Sequence, residues 1–291
     1  VPGYDRHFAI TERYGIEMIP VDMTPEGPDM DTVERLAASD ASIKGIWCVP
    51  KYSNPDGITY SDETVRRFAR MKTAADDFMI MWDNAYAVHD LHPEHRDTLI
   101  NILDECKKAG DPNRVMIFAS TSKITYAGAG IAVFACAQEV MERMKKLLTI
   151  QTIGFDKMNM LRHARYFKNI DGIMAHMDKQ AELLRPKFKT VLDAFERELG
   201  GKGVAEWINP NGGYFISLNV MDGCAKRVVQ LCKDAGVVLT SAGSTYPYGD
   251  DPHDRNIRIA PTYPSIPELE CAVSLLCVCT KLAAVEKLLR S

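Results

Sequence analysis

Val115-Met116-Ile117-Phe118-Ala119-Ser120-Thr121-Ser122-Lys123-Ile124-Thr125-Tyr126-Ala127-Gly128-Ala129-Gly130 joins an unbroken apolar run to a loop of hydroxyls, glycines and a single lysine. The run Val115–Ala119 predicts a buried strand, because apolar residues without alternation need cover on both faces. The loop after it carries two kinds of chemistry. Hydroxyls and free backbone N–H groups hold a phosphate. A lysine amine partly withdrawn from water forms a Schiff base with a carbonyl. Taken alone, a solvated lysine at a Ser/Thr turn is the simpler reading, so the rest of the chain has to decide.

Upstream, the same pattern of a strand followed by polar residues recurs. Ile43–Val49 predicts a strand that ends at Pro50, followed by the turn cluster Tyr52-Ser53-Asn54-Pro55-Asp56-Gly57. Phe78–Trp82 predicts another, with Asp83, Asn84 and Tyr86 just beyond it. Tyr14–Val21 reads as a first strand and Ile131–Ala135 as a last one. Between them lie amphipathic helices. Asp31 and Glu34 suggest a capping box for one that runs through Leu36. Ser61 caps a second, with Val65, Phe68, Ala69 and Lys72 on one face. Leu99, Ile102, Leu103 and Cys106 mark a third, stopped by Gly110 and Asp111-Pro112. Alternating strands and helices predict an α/β fold, a mostly parallel sheet flanked by helices, with its chemistry at the strands' C-terminal ends. Asn54, Asp83 and Lys123 each follow a strand, and that shared position is the first evidence for a site.

The second half predicts a smaller α+β C-terminal domain, residues 166–291, after a large domain of residues 1–165. Leu184, Phe188, Val191, Leu192, Phe195 and Leu199 form a helical stripe closed by Gly200-Gly201, with Pro186 inside it or at its start. Gly213–Val220 and Gly236–Thr240 read as strands around a helix capped by Asp222, and Asn256–Ala260 as a short strand. Ser265 and Glu268 box the start of a terminal helix with Leu269, Ala272, Val273, Leu276 and Ala283 inward.

Composition narrows the function. The chain is 46% hydrophobic and 25% charged, ordinary for a globular protein, and its net charge of −4 gives no general basis for binding nucleic acid. No apolar run approaches membrane-spanning length, so no membrane partner is expected. The 8 cysteines show no CxxC pair and read as reduced thiols of a cytoplasmic protein. His89, Asp90, His92 and His95 do not make a metal site, since Pro93 breaks any helix and the spacing gives no tetrahedral set. Gly128-Ala129-Gly130 lacks the third glycine of a dinucleotide fingerprint.

Two further side chains fit one cofactor, and a third calls for a carboxylate. A group with both an aldehyde and a phosphate, pyridoxal phosphate, would use both chemistries of the lysine loop. Asp83 would pair with its pyridine nitrogen and keep the ring an electron sink, although a helix-capping aspartate is the competing reading. Tyr86 would donate to the ring's phenolate oxygen, or else serve as a packing tyrosine. Arg258, inside the apolar run Ile257-Arg258-Ile259, calls for a carboxylate partner, either a substrate's or one in a structural ion pair.

Ser53-Asn54-Pro55-Asp56-Gly57, Asp83-Asn84-Ala85-Tyr86, Ser120-Thr121-Ser122-Lys123 and Arg258, in this order and spacing, resemble the fold-type I aminotransferases of class I/II. Pro2-Gly3-Tyr4-Asp5-Arg6-His7, Pro50-Lys51-Tyr52 and Leu161-Arg162-His163 bring the resemblance closest to the MocR-like, type Ic aspartate aminotransferases. The resemblance implies that Lys123 binds pyridoxal phosphate and shuttles the substrate α-proton. It implies that Asp83 holds the pyridinium, that Asn54 and Tyr86 bond the phenolate oxygen, and that Ser120 and Ser122 lie at the phosphate. Arg258 is implied to grip the substrate α-carboxylate, with Asn54 beside it. The substrates implied are an aspartate- or glutamate-type amino acid and a 2-oxo acid, and the assembly a homodimer with its site at the interface. The alternatives on the same scaffold are a β-lyase, an aromatic or aminoadipate aminotransferase, and the effector domain of a MocR-type regulator. Two departures stand out. The phosphate-binding arginine common eight residues after the lysine is Ile131 here. The family's N-terminal segment, which usually brings a glycine-rich phosphate loop, a stacking aromatic ring and an interface tyrosine, is absent from the 291 residues; a complete chain is then expected to bind cofactor weakly, a fragment to hold half a site, and these residues alone to show little or no turnover.

Overall fold

The computed structural model describes residues 1–290. Helix α1 (Asp5–Arg13) is followed by a hairpin of β1 (Met23–Thr24) and β2 (Gly27–Pro28), and then by α2 (Met30–Ser39). Next come β3 (Gly45–Cys48), α3 (Asp62–Arg70), β4 (Met79–Asp83), α4 (Ile102–Lys108), β5 (Val115–Ser120) and β6 (Ala132–Cys136). Three helices succeed them, α5 (Gln138–Gln151), α6 (Lys157–Phe167) and α7 (Ile170–Leu199). The chain ends with β7 (Ala205–Trp207), β8 (Ile216–Val220), α8 (Ala225–Asp234), β9 (Asn256–Ile259) and α9 (Ile266–Leu288).

The apolar runs do form one sheet, in the order β3-β4-β5-β6. β3, β4 and β5 are parallel, and β6 returns antiparallel to β5. The register pairs Cys48 with Trp82 and Asp83 with Phe118, so the strands' C-terminal ends lie level. That alignment brings Asp83 and the segments after Cys48 and Ser120 to one edge. Val65, Phe68, Ile80, Trp82, Ile102 and Val115 are buried between sheet and helices, each contributing about 1.5–3 kcal/mol for an aliphatic or phenyl side chain. In the C-terminal part, β7-β8-β9 form an antiparallel sheet covered by α7, α8 and α9. Phe195, Leu199, Ile216, Leu218 and Ile257 are its innermost side chains.

Helix α7 links the two parts. Its first half packs with Met177 and Ile173 against Ile124 and Phe167, and His176 and Gln180 both bond the Ile124 carbonyl oxygen. Its second half, from Leu184, packs on the small sheet. Pro186 lies within this 30-residue helix rather than at its start.

Several expected elements are different. Tyr14–Val21 is an exposed loop and not a strand, because no described strand lies beside it to pair its backbone. Gly236–Thr240 also lies outside any described strand, although Val237 and Leu239 pack against the small-sheet core, and the third strand of that sheet is β7, too short to show a periodic pattern. Helix α2 is capped by Asp29, which accepts from the Asp31 and Thr32 N–H groups, while Glu34 pairs with Arg67. Lys72 falls beyond the end of α3 and Leu99 before the start of α4. Asp222 does not cap α8; the Asp254 carboxylate accepts from the Lys226 N–H there. The Ser265/Glu268 capping box is present.

Candidate active site

Lys123 projects from the loop after β5 toward β4. Its Nζ donates to the Tyr86 hydroxyl at 2.8 Å and lies 5.6 Å from the Tyr4 ring centroid. Burial lowers the pKa of this amine; the Asp83 charge opposes that shift and the Arg258 charge adds to it. A lysine that loses its proton readily is a nucleophile and a proton carrier. The backbone is held as well as the amine. The Tyr214 hydroxyl donates to the Lys123 carbonyl oxygen at 2.6 Å, and His89 Nε2 meets the same oxygen at 3.2 Å. Burial pushes the His89 pKa down to about 4, so the ring is neutral near pH 7. A neutral ring that donates from Nε2 leaves Nδ1 an acceptor, and this buried Nδ1 has no partner among the described residues. Burial also raises the Tyr86 pKa, which keeps its hydroxyl protonated.

Asp83 ends β4, and its Oδ2 is 2.9 Å from His7 Nε2. The His7 ring stacks on Trp47 with centroids 4.4 Å apart, so the carboxylate faces a partner fixed in orientation. Asn54 is buried in the turn after β3, where the Asn54–Pro55 peptide is cis. Arg258 in β9 reaches across from the small sheet. Its Nη1 donates to Asn54 Oδ1 at 3.3 Å and to Asp5 Oδ1 at 3.1 Å. Its Nε is buried and has no partner among the described residues. The guanidinium lies 5.0 Å from the Phe215 ring centroid.

Ser120 Oγ donates to Ser122 Oγ at 2.7 Å and accepts from the Ser122 N–H, a tight hydroxyl turn at the base of the lysine loop. The loop closes at Gly130, where a Cβ would sit 2.8 Å from the Ser122 backbone nitrogen, so no larger residue fits. The Ile131 N–H donates to Thr121 Oγ1, and that hydroxyl meets His163 Nε2 at 3.1 Å from α6. Arg162 bonds Asn159 and lies 5.5 Å from the Tyr126 ring.

Lys123, Tyr86, Asp83, Asn54 and Arg258 thus come together from four separate segments, with Ser120 and Ser122 at the foot of the lysine loop. Sequence reasoning did not single out Tyr4, Asp5, His7, His89 as a lysine support, or Tyr214. The first three lie in the Gly3-Tyr4-Asp5-Arg6-His7 stretch, where a polar and aromatic cluster was the available signal. Of these, Tyr4 brings its ring to 5.6 Å from the Lys123 amine. His89 and Asp90 face different ways: Asp90 accepts from Lys51 and Tyr52 in a buried network.

The donors suit pyridoxal phosphate. A carboxylate, a hydroxyl with a buried amide, a partly desolvated amine and paired serines match its pyridine nitrogen, phenolate, aldehyde and phosphate. The buried, unpaired Arg258 Nε beside them suits a carboxylate.

The family described as aspartate amino-transferase matches residues 1–291. A putative aminotransferase of Mycolicibacterium smegmatis is 52% identical over 288 residues, 99% of this chain and 67% of that protein. The crystal structure of an aspartate transaminase from Corynebacterium glutamicum superposes with a TM-score of 0.96 at 49% identity, covering 99% of this chain and 67% of that one. The α-aminoadipate aminotransferase of Thermus thermophilus, solved with N-(5'-phosphopyridoxyl)-L-leucine, has the same fold, with a TM-score of 0.81 at 19% identity over 98% of this chain and 70% of that one. The chain spans about two thirds of the length of these relatives.

Proposed function

We propose a pyridoxal-phosphate-dependent transamination for this chain, which belongs to the aspartate amino-transferase family. The reaction moves an amino group between an aspartate- or glutamate-type amino acid and a 2-oxo acid. The observation that carries the reading is the Lys123 amine, partly desolvated and 2.8 Å from the Tyr86 hydroxyl, between the charges of Asp83 and Arg258.

When bound, pyridoxal phosphate supplies an aldehyde for amines and a ring that draws electrons from the substrate α-carbon. Lys123 would take the proton from the substrate α-carbon and give it back, and the burial that lowers its pKa suits it to that exchange. Tyr86 orients Lys123 Nζ. Asp83, steadied by His7, keeps a proton on the pyridine nitrogen. Asn54 and Tyr86 bond the phenolate oxygen, and Ser120 and Ser122 take the phosphate. Tyr4 offers an aromatic face that keeps water from the amine. Arg258 and Asn54 hold the substrate α-carboxylate.

A large part, 1–165, and a small part, 166–291, would then close on substrate with α7 as the connecting helix. We read the protein as nearest the type Ic aspartate aminotransferases and as a cytoplasmic homodimer. Eight free cysteines support a reducing compartment, and the exposed Leu147, Ile150, Ile153, Phe155 and Met158 support burial against further protein. The test is 2-oxoglutarate-dependent consumption of aspartate by the holoenzyme. Release of pyruvate or ammonia without amino transfer would replace this reading with a lyase.

A further inference from the structure

Aromatic side chains hold Lys123 at both ends. Tyr86 accepts from its Nζ at 2.8 Å, while the Tyr214 hydroxyl and His89 Nε2 donate to its carbonyl oxygen at 2.6 and 3.2 Å. A carbonyl oxygen has two lone pairs, and these two donors take both. The three rings also hold one another. Each pair meets edge to face, with centroids 6.0 Å apart for Tyr86 and Tyr214, 5.2 Å for His89 and Tyr214, and 5.4 Å for Tyr86 and His89.

Tyr214 follows a segment that is itself stitched to the large part. The Leu91 N–H donates to the Asn211 carbonyl oxygen, and the Gly213 N–H to that of His89, both at 2.9 Å. Gly212 lets the two backbones meet this closely, since a Cβ there would stand 2.5 Å from the His89 carbonyl oxygen. His89 and Tyr214 thus stand on one braced pair of segments. The Lys123 carbonyl is tied to that frame, outside its own loop. Such bracing matters for a proton carrier, because a misplacement of about 1 Å costs a rate factor of about a hundred.

We propose that His89 and Tyr214 are positioning residues for proton transfer by Lys123. They fix the root of its side chain, so that the amine moves on its own stem and not with the loop. The proposal rests on the reading of Lys123 as the reacting lysine. A lysine stem is flexible and has no aim of its own. The bond to Tyr86 holds the amine at rest, and during transfer the root is what directs it. Neither His89 nor Tyr214 is assigned a contact with substrate. Losing either donor therefore misaims the amine and leaves substrate binding as it was.

The experiment compares wild type with Tyr214→Phe and His89→Leu. Tyr214→Phe removes one oxygen and keeps the ring contacts. His89→Leu removes the other donor, so the test survives if one variant fails to fold. The holoenzyme is followed through a single turnover with aspartate and with α-deuterated aspartate. Each variant should slow the isotope-sensitive step about three- to tenfold, with half-saturating aspartate within about twofold of wild type. In the apoprotein, hydrogen exchange of the peptide around Lys123 should quicken by a similar factor, while a peptide from α9 exchanges as in wild type. A wild-type rate for the isotope-sensitive step in either folded variant, or a loss confined to aspartate affinity, overturns the proposal. Unchanged exchange around Lys123 does so as well, as does faster exchange that includes α9, which marks general destabilisation. Amino transfer that survives Lys123→Ala overturns the reading of Lys123 itself.

Discussion

Replacing Arg258 with lysine tests the grip on substrate with the charge kept. The guanidinium donates from Nη1 to Asn54 and Asp5, and its Nε is buried and open. A substrate carboxylate can take two parallel charge-assisted hydrogen bonds from such a group. A lysine ammonium at the end of a shorter reach supplies one. It also gives up the flat contact with the Phe215 ring, 5.0 Å away. One lost hydrogen bond to a charged group is worth about 1.5–3 kcal/mol, so kcat/KM should fall roughly 10- to 100-fold, at about 1.4 kcal/mol per decade. Pyridoxal phosphate affinity should change far less than kcat/KM, because among the groups assigned to the cofactor only Asn54 loses a partner. Steady-state kinetics with aspartate and 2-oxoglutarate give the first quantity, and titration of apoenzyme with cofactor the second. A kcat/KM within about threefold of wild type, or a parallel loss of cofactor affinity, would refute this role for Arg258.

Asp83→Asn removes the charge assigned to the pyridine nitrogen, and should slow α-proton removal at least about a hundredfold in single-turnover measurements while the fold melts normally. His89 is a pH-dependent support: its pKa falls from 6.5 to about 4 on folding, so between those values the unfolded chain holds a proton that the fold does not. Its contribution is complete above pH 6.5 and is lost as pH falls toward 4, in all about 3 kcal/mol, and the difference in denaturant stability between wild type and His89→Gln should shrink by that order over the same window. Leu218, fully buried in the small sheet, should cost about 2–5 kcal/mol on replacement by alanine, read from the denaturation midpoint.

The parallel sheet was legible because β3, β4 and β5 are written as apolar runs, although β3 is largely exposed and β4 buries alternate residues only. The strand-end positions of Asn54, Asp83 and Lys123 followed from that without further information. Arg258 stood out because a lone arginine in an apolar strand demands a partner. Strand assignment failed where the apolar pattern was present and a neighbour was not, as at Tyr14–Val21 and Gly236–Thr240. A strand is a paired object, and sequence reports only one side of the pair. Helix starts failed by two or three residues at Asp31 and Asp222, because several acidic side chains near a helix N-terminus can compete for the same N–H groups. Tyr214 and His89 were beyond reach. Their hydroxyl and ring converge on the Lys123 carbonyl from segments far apart in sequence, and no local pattern records a long-range contact.

The identity of the reacting lysine is the central claim, and chemical trapping reads it directly. The holoenzyme is reduced with borohydride, digested, and the cofactor-bearing peptide sequenced by mass spectrometry. The expected result is one modified peptide from the loop after β5, with the reduced cofactor on Lys123. An adduct on any other lysine, or cofactor released unmodified, contradicts the assignment.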